Sequence, residues 1–226
     1  MSFDDAPERS LGRLHVLVDS LIVAEAALEG GAPTLQVRIK TGTDADRLRL
    51  TEAIAARCRA AGATCLVNDR ADVALAVGAD GLHVGAEDLP VATVRRLVGP
   101  DLFVGGTARD PGTGRRLVAE GASYLGVGPT FATTSKSGLP EPIGVEGVRA
   151  VASAVSVPVI AIAGITAQSV DDVIAAGAWG VAVIGAISDA PDPHSATHEM
   201  VLAVTKAVDA LAEALPGTNL PHLERP

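Results

Sequence analysis

The chain has 226 residues, a formal net charge of −9, and a hydrophobic content near one half of which almost none is aromatic. That length suits one large α/β domain with a core of Ala, Val, Leu and Ile, and the acidic balance argues against a nucleic-acid backbone as the main partner. No apolar run approaches the roughly 18 residues of a membrane span, the polar N-terminus MSFDDAPERS is no signal peptide, and two cysteines, Cys58 and Cys65, make neither a zinc spacing nor a disulfide framework, so a cytoplasmic setting is expected.

After an expected leader over 1–12, apolar and β-branched runs alternate with helical stretches in eight units. Strands are expected at 14–18, 34–39, 64–67, 80–84, 102–106, 123–128, 157–163 and 179–185. Helices are expected near 21–29, 44–61, 70–77, 91–97, 112–120, 145–154, 167–176 and 194–214, with a tail over 215–226. The strand runs are apolar throughout rather than polar at alternate positions, the pattern of parallel strands covered by helices. Eight unbroken units imply a closed (β/α)8 TIM barrel, with 1–226 as a single domain. An open doubly wound sheet would show a glycine fingerprint after the first strand, and VLVDSL at 16–21 has none.

In a barrel, functional residues collect on the loops after strand C-termini. Asn68, Asp69 and Arg70 follow the third strand, and Glu87 and Asp88 follow the fourth. Neighbouring parallel strands lie about 4.8 Å apart, so Asp69 and Asp88 face one small volume and, as hard oxygen ligands, suit Mg²⁺. The alternative is that both are ordinary loop or helix-cap residues. In QVRIK (36–40), Gln36, Arg38 and Lys40 share one face of a strand. Two cations and an amide there call for an anion, or for carboxylate partners inside the barrel.

The long stretch GPTFATTSKSG (128–138) follows the sixth strand. Its hydroxyls and amides can wrap an anion, Lys136 can neutralise one, and its small residues suit a closing lid; a plain surface loop is the alternative. Gly164 and Ile184–Gly185 end strands seven and eight, where barrels frequently bind a phosphate, although each glycine alone is equally a turn residue. His83, a lone histidine among apolar residues, reads as a core residue. The rim thus offers two anion zones. One combines Arg38, Lys40, Asn68 and Lys136 with Mg²⁺ on Asp69 and Asp88, and suits a pyrophosphate leaving group; the other suits a monophosphate.

The motifs QVRIK, VNDRADVAL, GADGLHVGAEDLP, GVGPTFATTSK and VPVIAIAGI, in this order between about residues 14 and 190, resemble those of the thiamine-phosphate synthases. The resemblance implies a (β/α)8 barrel that joins a hydroxymethylpyrimidine diphosphate to a thiazole phosphate, uses Mg²⁺ and releases pyrophosphate before the thiazole nitrogen attacks. It implies that Gln36, Arg38, Lys40, Asn68 and Lys136 hold the diphosphate substrate, with Arg38, Lys40 and Lys136 as the catalytic cations. Asp69 and Asp88 would ligate the metal, and Thr133, Thr134, Ser135, Gly164, Ile184 and Gly185 would contact the thiazole phosphate. The pattern departs from the family at several points. Thr107 keeps a hydroxyl, but Arg109 replaces a usual histidine, Thr134 a proline, Ala163 a glycine and Gly185 a serine. The expected partners are phosphorylated small molecules, with homo-oligomers allowed and no nucleic acid or membrane. A thiazole tautomerase or other isomerase, and a non-catalytic binder of thiamine precursors, are the alternative readings.

Overall fold

Eight parallel strands pair in sequence order and close on themselves: β1 (Leu14–Val18), β2 (Thr34–Val37), β3 (Thr64–Asn68), β4 (Gly81–Val84), β5 (Phe103–Ala108), β6 (Tyr124–Val127), β7 (Val159–Ile162) and β8 (Gly180–Val183), with β8 paired back to β1. The computed structural model describes residues 10–135 and 138–214. Most of the expected leader, the expected tail 215–226, and Lys136 lie outside the described residues. The outer layer comprises α1 (Leu21–Glu29), α2 (Asp44–Ala61), α3 (Ala71–Val77), α4 (Val91–Val98), α5 (Pro111–Ala119), α6 (Gly144–Ala152), α7 (Val170–Ala175), α8 (Gly185–Ser188) and α9 (Pro193–Ala214). Among the described residues no helix is long and apolar enough to cross a membrane.

The period of two along each strand divides the core into two clusters. Val16, Leu35, Val67, Leu82, Val104, Leu125 and Val181 point outward and pack with the helices. Leu17, Leu66, Phe103, Tyr124, Ile160 and Ala182 form a separate cluster inside the barrel. Residues 10–12, expected to belong to the leader, are instead part of this packing. Leu11 joins the inner cluster, the Gly12 amide donates to Thr34 Oγ1 at 2.9 Å, and Thr64 Oγ1 donates to the Ser10 carbonyl at 2.9 Å.

Several boundaries differ from expectation: β6, β7 and β8 are each trimmed, and β8 ends at Val183 with Gly185 opening the unexpected α8; three further differences bear on the mouth. Strand β2 ends at Val37, so Arg38 and Lys40 lie past the ladder, although the Arg38 amide still donates to the Val18 carbonyl at 2.8 Å. Strand β5 runs on to Ala108 and takes Thr107 into the barrel wall. The stretch expected as one helix from 167 splits into a 3-10 turn (Ala167–Ser169) and α7, with Thr166 and Ser169 capping each other.

The inner cluster encloses polar rings. His15 and Tyr124 are each about 1% exposed and meet edge to face, with centroids 5.4 Å apart. Among the described residues neither the ring nitrogens of His15 nor the Tyr124 hydroxyl finds a side-chain hydrogen-bond partner. Burial, then the charge of His83, lowers the His15 pKa to about 3, with the Gly12 backbone opposing; burial pushes the Tyr124 phenol up. Gly105 leaves the room for these rings, because a Cβ there would collide with the Tyr124 ring and stand 2.6 Å from His83 Nδ1.

Candidate functional site at the barrel mouth

In an all-parallel barrel every strand C-terminus opens onto one mouth. Four consecutive strands, β2 to β5, each place a polar side chain on the inner wall there: Gln36, Asn68, His83 and Thr107. Asn68 lies opposite His83 in the β3–β4 register, and His83 Nε2 is 2.9 Å from Thr107 Oγ1. The other half of the wall is apolar, with Leu17, Ile160, Ile162, Ala182 and Ile184 in the inner cluster. The mouth therefore has a hydrogen-bonding side and a greasy side.

Asp69 sits at the apex of a three-residue turn directly after β3. Its φ is +67°, a left-handed conformation that Asp tolerates better than most residues. The turn is pinned twice: the Asp69 amide donates to the His83 carbonyl and the Arg70 amide to the Asn68 carbonyl, each at 2.9 Å. The geometry aims the Asp69 carboxylate at two partners. Lys40 Nζ forms an ion pair with Asp69 Oδ2. On the other side stands Asp88, whose carboxylate is also held by the Gly85 amide at 2.7 Å. The Asp88 carboxyl is raised above the usual carboxylate range, first by burial and then by its hydrogen bond with Asp69, with Gly85 and Lys40 opposing.

The expected convergence of Asp69 and Asp88 is therefore what the structure shows, and Lys40 joins them. Arg38 is half-buried on the same rim and makes no side-chain hydrogen bond or ion pair among the described residues. Among the described residues, Lys40 is the one of the two cations after β2 that meets a carboxylate.

The loop after β6 is tied at its base to β7 and to its own return limb. The Thr130 and Phe131 amides donate to the Ile162 and Ala163 carbonyls at 2.8 and 3.0 Å, and the Ile143 amide donates to the Pro129 carbonyl at 2.8 Å. This brings the loop over the ends of β7 and β8, with Ala132 against Gly164 and Ser135 against Gly185; Thr133 Oγ1 accepts from the Ser135 amide at 3.2 Å. Gly164 packs so closely under the loop that a Cβ would stand 2.6 Å from the Ala132 carbonyl oxygen. Gly185 opens α8, and a Cβ there would stand 2.8 Å from Ser135 Oγ and 2.6 Å from Asp189 Oδ2. Ser135 and Gly185 are thus neighbours, as a shared anion site requires.

With this geometry in place, comparison with known proteins is direct. A family model described as thiamine monophosphate synthase matches residues 14–187. The chain belongs to that family. It is 53% identical over 205 residues to the thiamine-phosphate synthase of Salinispora arenicola (strain CNS-205), covering 87% of this chain and 99% of the relative. It is 45% identical over 188 residues to that of Moorella thermoacetica, covering 83% and 90%. Among solved structures, thiamine phosphate pyrophosphorylase from Pyrococcus furiosus superposes with a TM-score of 0.81 at 33% identity, over 87% of this chain and 96% of that one.

Two site features of this thiamine monophosphate synthase homologue are not evident from sequence. His83, read there as core, belongs to the polar half of the mouth through Thr107; strand alternation between Gly81 and Gly85 was the available signal. Ala163 replaces the family's more usual glycine at a position where φ is +79°. An L-residue there costs roughly 1–2 kcal/mol, and the extra entropy of an unfolded glycine returns part of that. Ala163→Gly is therefore expected to stabilise the protein by about 0.5–1 kcal/mol in urea unfolding. A less stable variant would mean that the loop contacts have absorbed the strain.

Proposed function

We propose that this chain makes thiamine phosphate by joining a hydroxymethylpyrimidine diphosphate to a thiazole phosphate, with pyrophosphate as the leaving group. The observation that carries the reading is the corner where Lys40, Asp69 and Asp88 meet, with Arg38 two residues before Lys40 on the same rim and unpaired among the described residues. A diphosphate leaving group gathers negative charge as its bond to carbon breaks, and cations fixed beside it lower that barrier. Arg38 supplies a planar fork and Lys40 a mobile ammonium for its oxygens; Lys136 completes the set by its place in the family motif.

Two carboxylates in contact hold more negative charge than one ammonium matches, which fits a divalent cation. Mg²⁺ commonly takes one or two protein carboxylates and completes its shell with water and substrate phosphates. Asp69 and Asp88 would hold the ion, which when bound supplies charge neutralisation at the diphosphate.

The polar half of the mouth, Gln36, Asn68, His83 and Thr107, offers hydrogen bonds to an aminopyrimidine ring. The apolar half suits the thiazole. Thr133, Thr134 and Ser135, with Gly164 and the Ile184–Gly185 backbone, would take the thiazole phosphate. A group that leaves unaided by covalent catalysis needs no protein nucleophile, so positioning and charge are what these residues supply.

The test is pyrophosphate release by pure protein supplied with both substrates. Thiamine phosphate and pyrophosphate are expected in equal amounts, with turnover lost on adding EDTA and restored by Mg²⁺. Binding without turnover would favour a non-catalytic binder, and isomerisation of the thiazole phosphate alone would favour a tautomerase.

A further inference from the structure

A chain of alternating charges lies outside the mouth and joins the two loops that carry Lys40 and Asp69. Arg47, in the first turn of α2, donates from Nη2 to the Lys40 carbonyl at 3.3 Å and from Nε to the Thr41 carbonyl at 3.4 Å. Its Nη1 also reaches Asp44 Oδ1 at 3.3 Å. The same Asp44 oxygen accepts a bond from Arg70 Nη1 at 2.8 Å. Arg70 then closes on Asp72 with two parallel bonds, Nε to Oδ1 at 2.8 Å and Nη2 to Oδ2 at 2.6 Å.

We propose that Asp44 and Arg70 are positioning residues: the Arg47–Asp44–Arg70–Asp72 chain holds the β2–α2 and β3–α3 loops at the separation at which Lys40 and Asp69 meet, and so sets the affinity for a magnesium-bound diphosphate. This rests on reading that corner as the diphosphate site. Arg70 is the residue next to Asp69, and Arg47 grips the backbone of Lys40 itself. A left-handed turn such as that at Asp69 persists only where its surroundings over-determine it. Single exposed ion pairs contribute little, but a forked pair tied into a network keeps its geometry. The two carboxylates on Arg70 have different tasks. Asp72 is local to the same turn, whereas Asp44 is 26 residues away and spans the loops.

That difference gives a matched pair of variants, since Asp44 and Asp72 each stand in the first turn of a helix. Removing either costs its helix a similar favourable charge, but only Asp44→Ala cuts the tie between loops. The probe is inorganic pyrophosphate with Mg²⁺, titrated calorimetrically into the full chain, alongside hydrogen exchange at the amides of residues 69 and 70. Asp44→Ala is expected to weaken binding at least fivefold and to speed that exchange, with an unfolding midpoint close to that of Asp72→Ala. Asp72→Ala is expected to bind within twofold of wild type. Wild-type affinity in Asp44→Ala, or equal weakening in both variants, overturns the proposal. If wild type itself fails to bind magnesium pyrophosphate, the diphosphate reading falls and takes this role with it; faster exchange in Asp44→Ala would then still separate the loop tie from the failed ligand reading.

Discussion

Replacing Asp69 with glycine is expected to leave a folded protein, within about 1 kcal/mol of wild-type stability, that turns over at least tenfold more slowly. The two halves of this result have separate causes. Glycine accepts the φ of +67° without a Cβ penalty, and the ion pair with Lys40 is partly solvent-exposed and so contributes little to folding. What is lost is one of two carboxylates aimed at the leaving-group corner. A tenfold loss corresponds to about 1.4 kcal/mol in the barrier, modest for removing a ligand of the proposed metal. Asp69→Ala is expected to lose as much activity and to fold less well, since alanine keeps the strain. Steady-state pyrophosphate release and urea unfolding on the same preparations read both quantities. Wild-type turnover in either variant would remove the metal from the account.

Acid is expected to destabilise the protein well before the carboxylates titrate, and His15 is the reason. Its pKa is about 3 in the folded barrel against an ordinary 6.5, so between these values the unfolded chain binds a proton that the folded chain refuses. Stability is fully present above pH 6.5 and falls as pH drops through that window, by about 1.4 kcal/mol per pH unit once the unfolded histidine is protonated. Between pH 6.5 and 4.5 the loss amounts to about 2–3 kcal/mol. His15→Leu, which cannot take up a proton, is expected to flatten the dependence over that interval. Urea unfolding at half-unit steps of pH measures it, and an unchanged slope in His15→Leu would place the titrating group elsewhere.

The barrel was legible because its grammar is local. Each apolar run, each helical run and each glycine after a helix is read from a short window, and eight repeats leave little choice of closure. The meeting of Asp69 with Asp88 was legible for the same reason: consecutive parallel strands deliver their last residues to one rim. Other features depend on distant neighbours. Helix α8 is one turn long, too short to leave a periodic signal. Strand alternation puts His83 on the inner face, but that face holds core and mouth residues alike, and the Thr107 hydroxyl on the next strand decides between them. The left-handed turns at Asp69 and Ala163 are imposed by what surrounds them, and neither residue type announces the conformation. Strand β2 stopped two residues early, yet Lys40 still found Asp69, because a lysine stem spans the distance that a lost ladder bond leaves.

The central claim is that Asp69, Asp88, Lys40 and Arg38 form one diphosphate-binding corner. Its most direct measurement is a crystal structure grown with inorganic pyrophosphate and Mn²⁺ in place of Mg²⁺, read by anomalous scattering. The account predicts a manganese peak bridging the Asp69 and Asp88 carboxylates and the pyrophosphate, with Arg38 and Lys40 on its oxygens, and no such peak in Asp69→Gly. Pyrophosphate held at the β7–β8 end of the mouth, or manganese bound away from both aspartates, would contradict it.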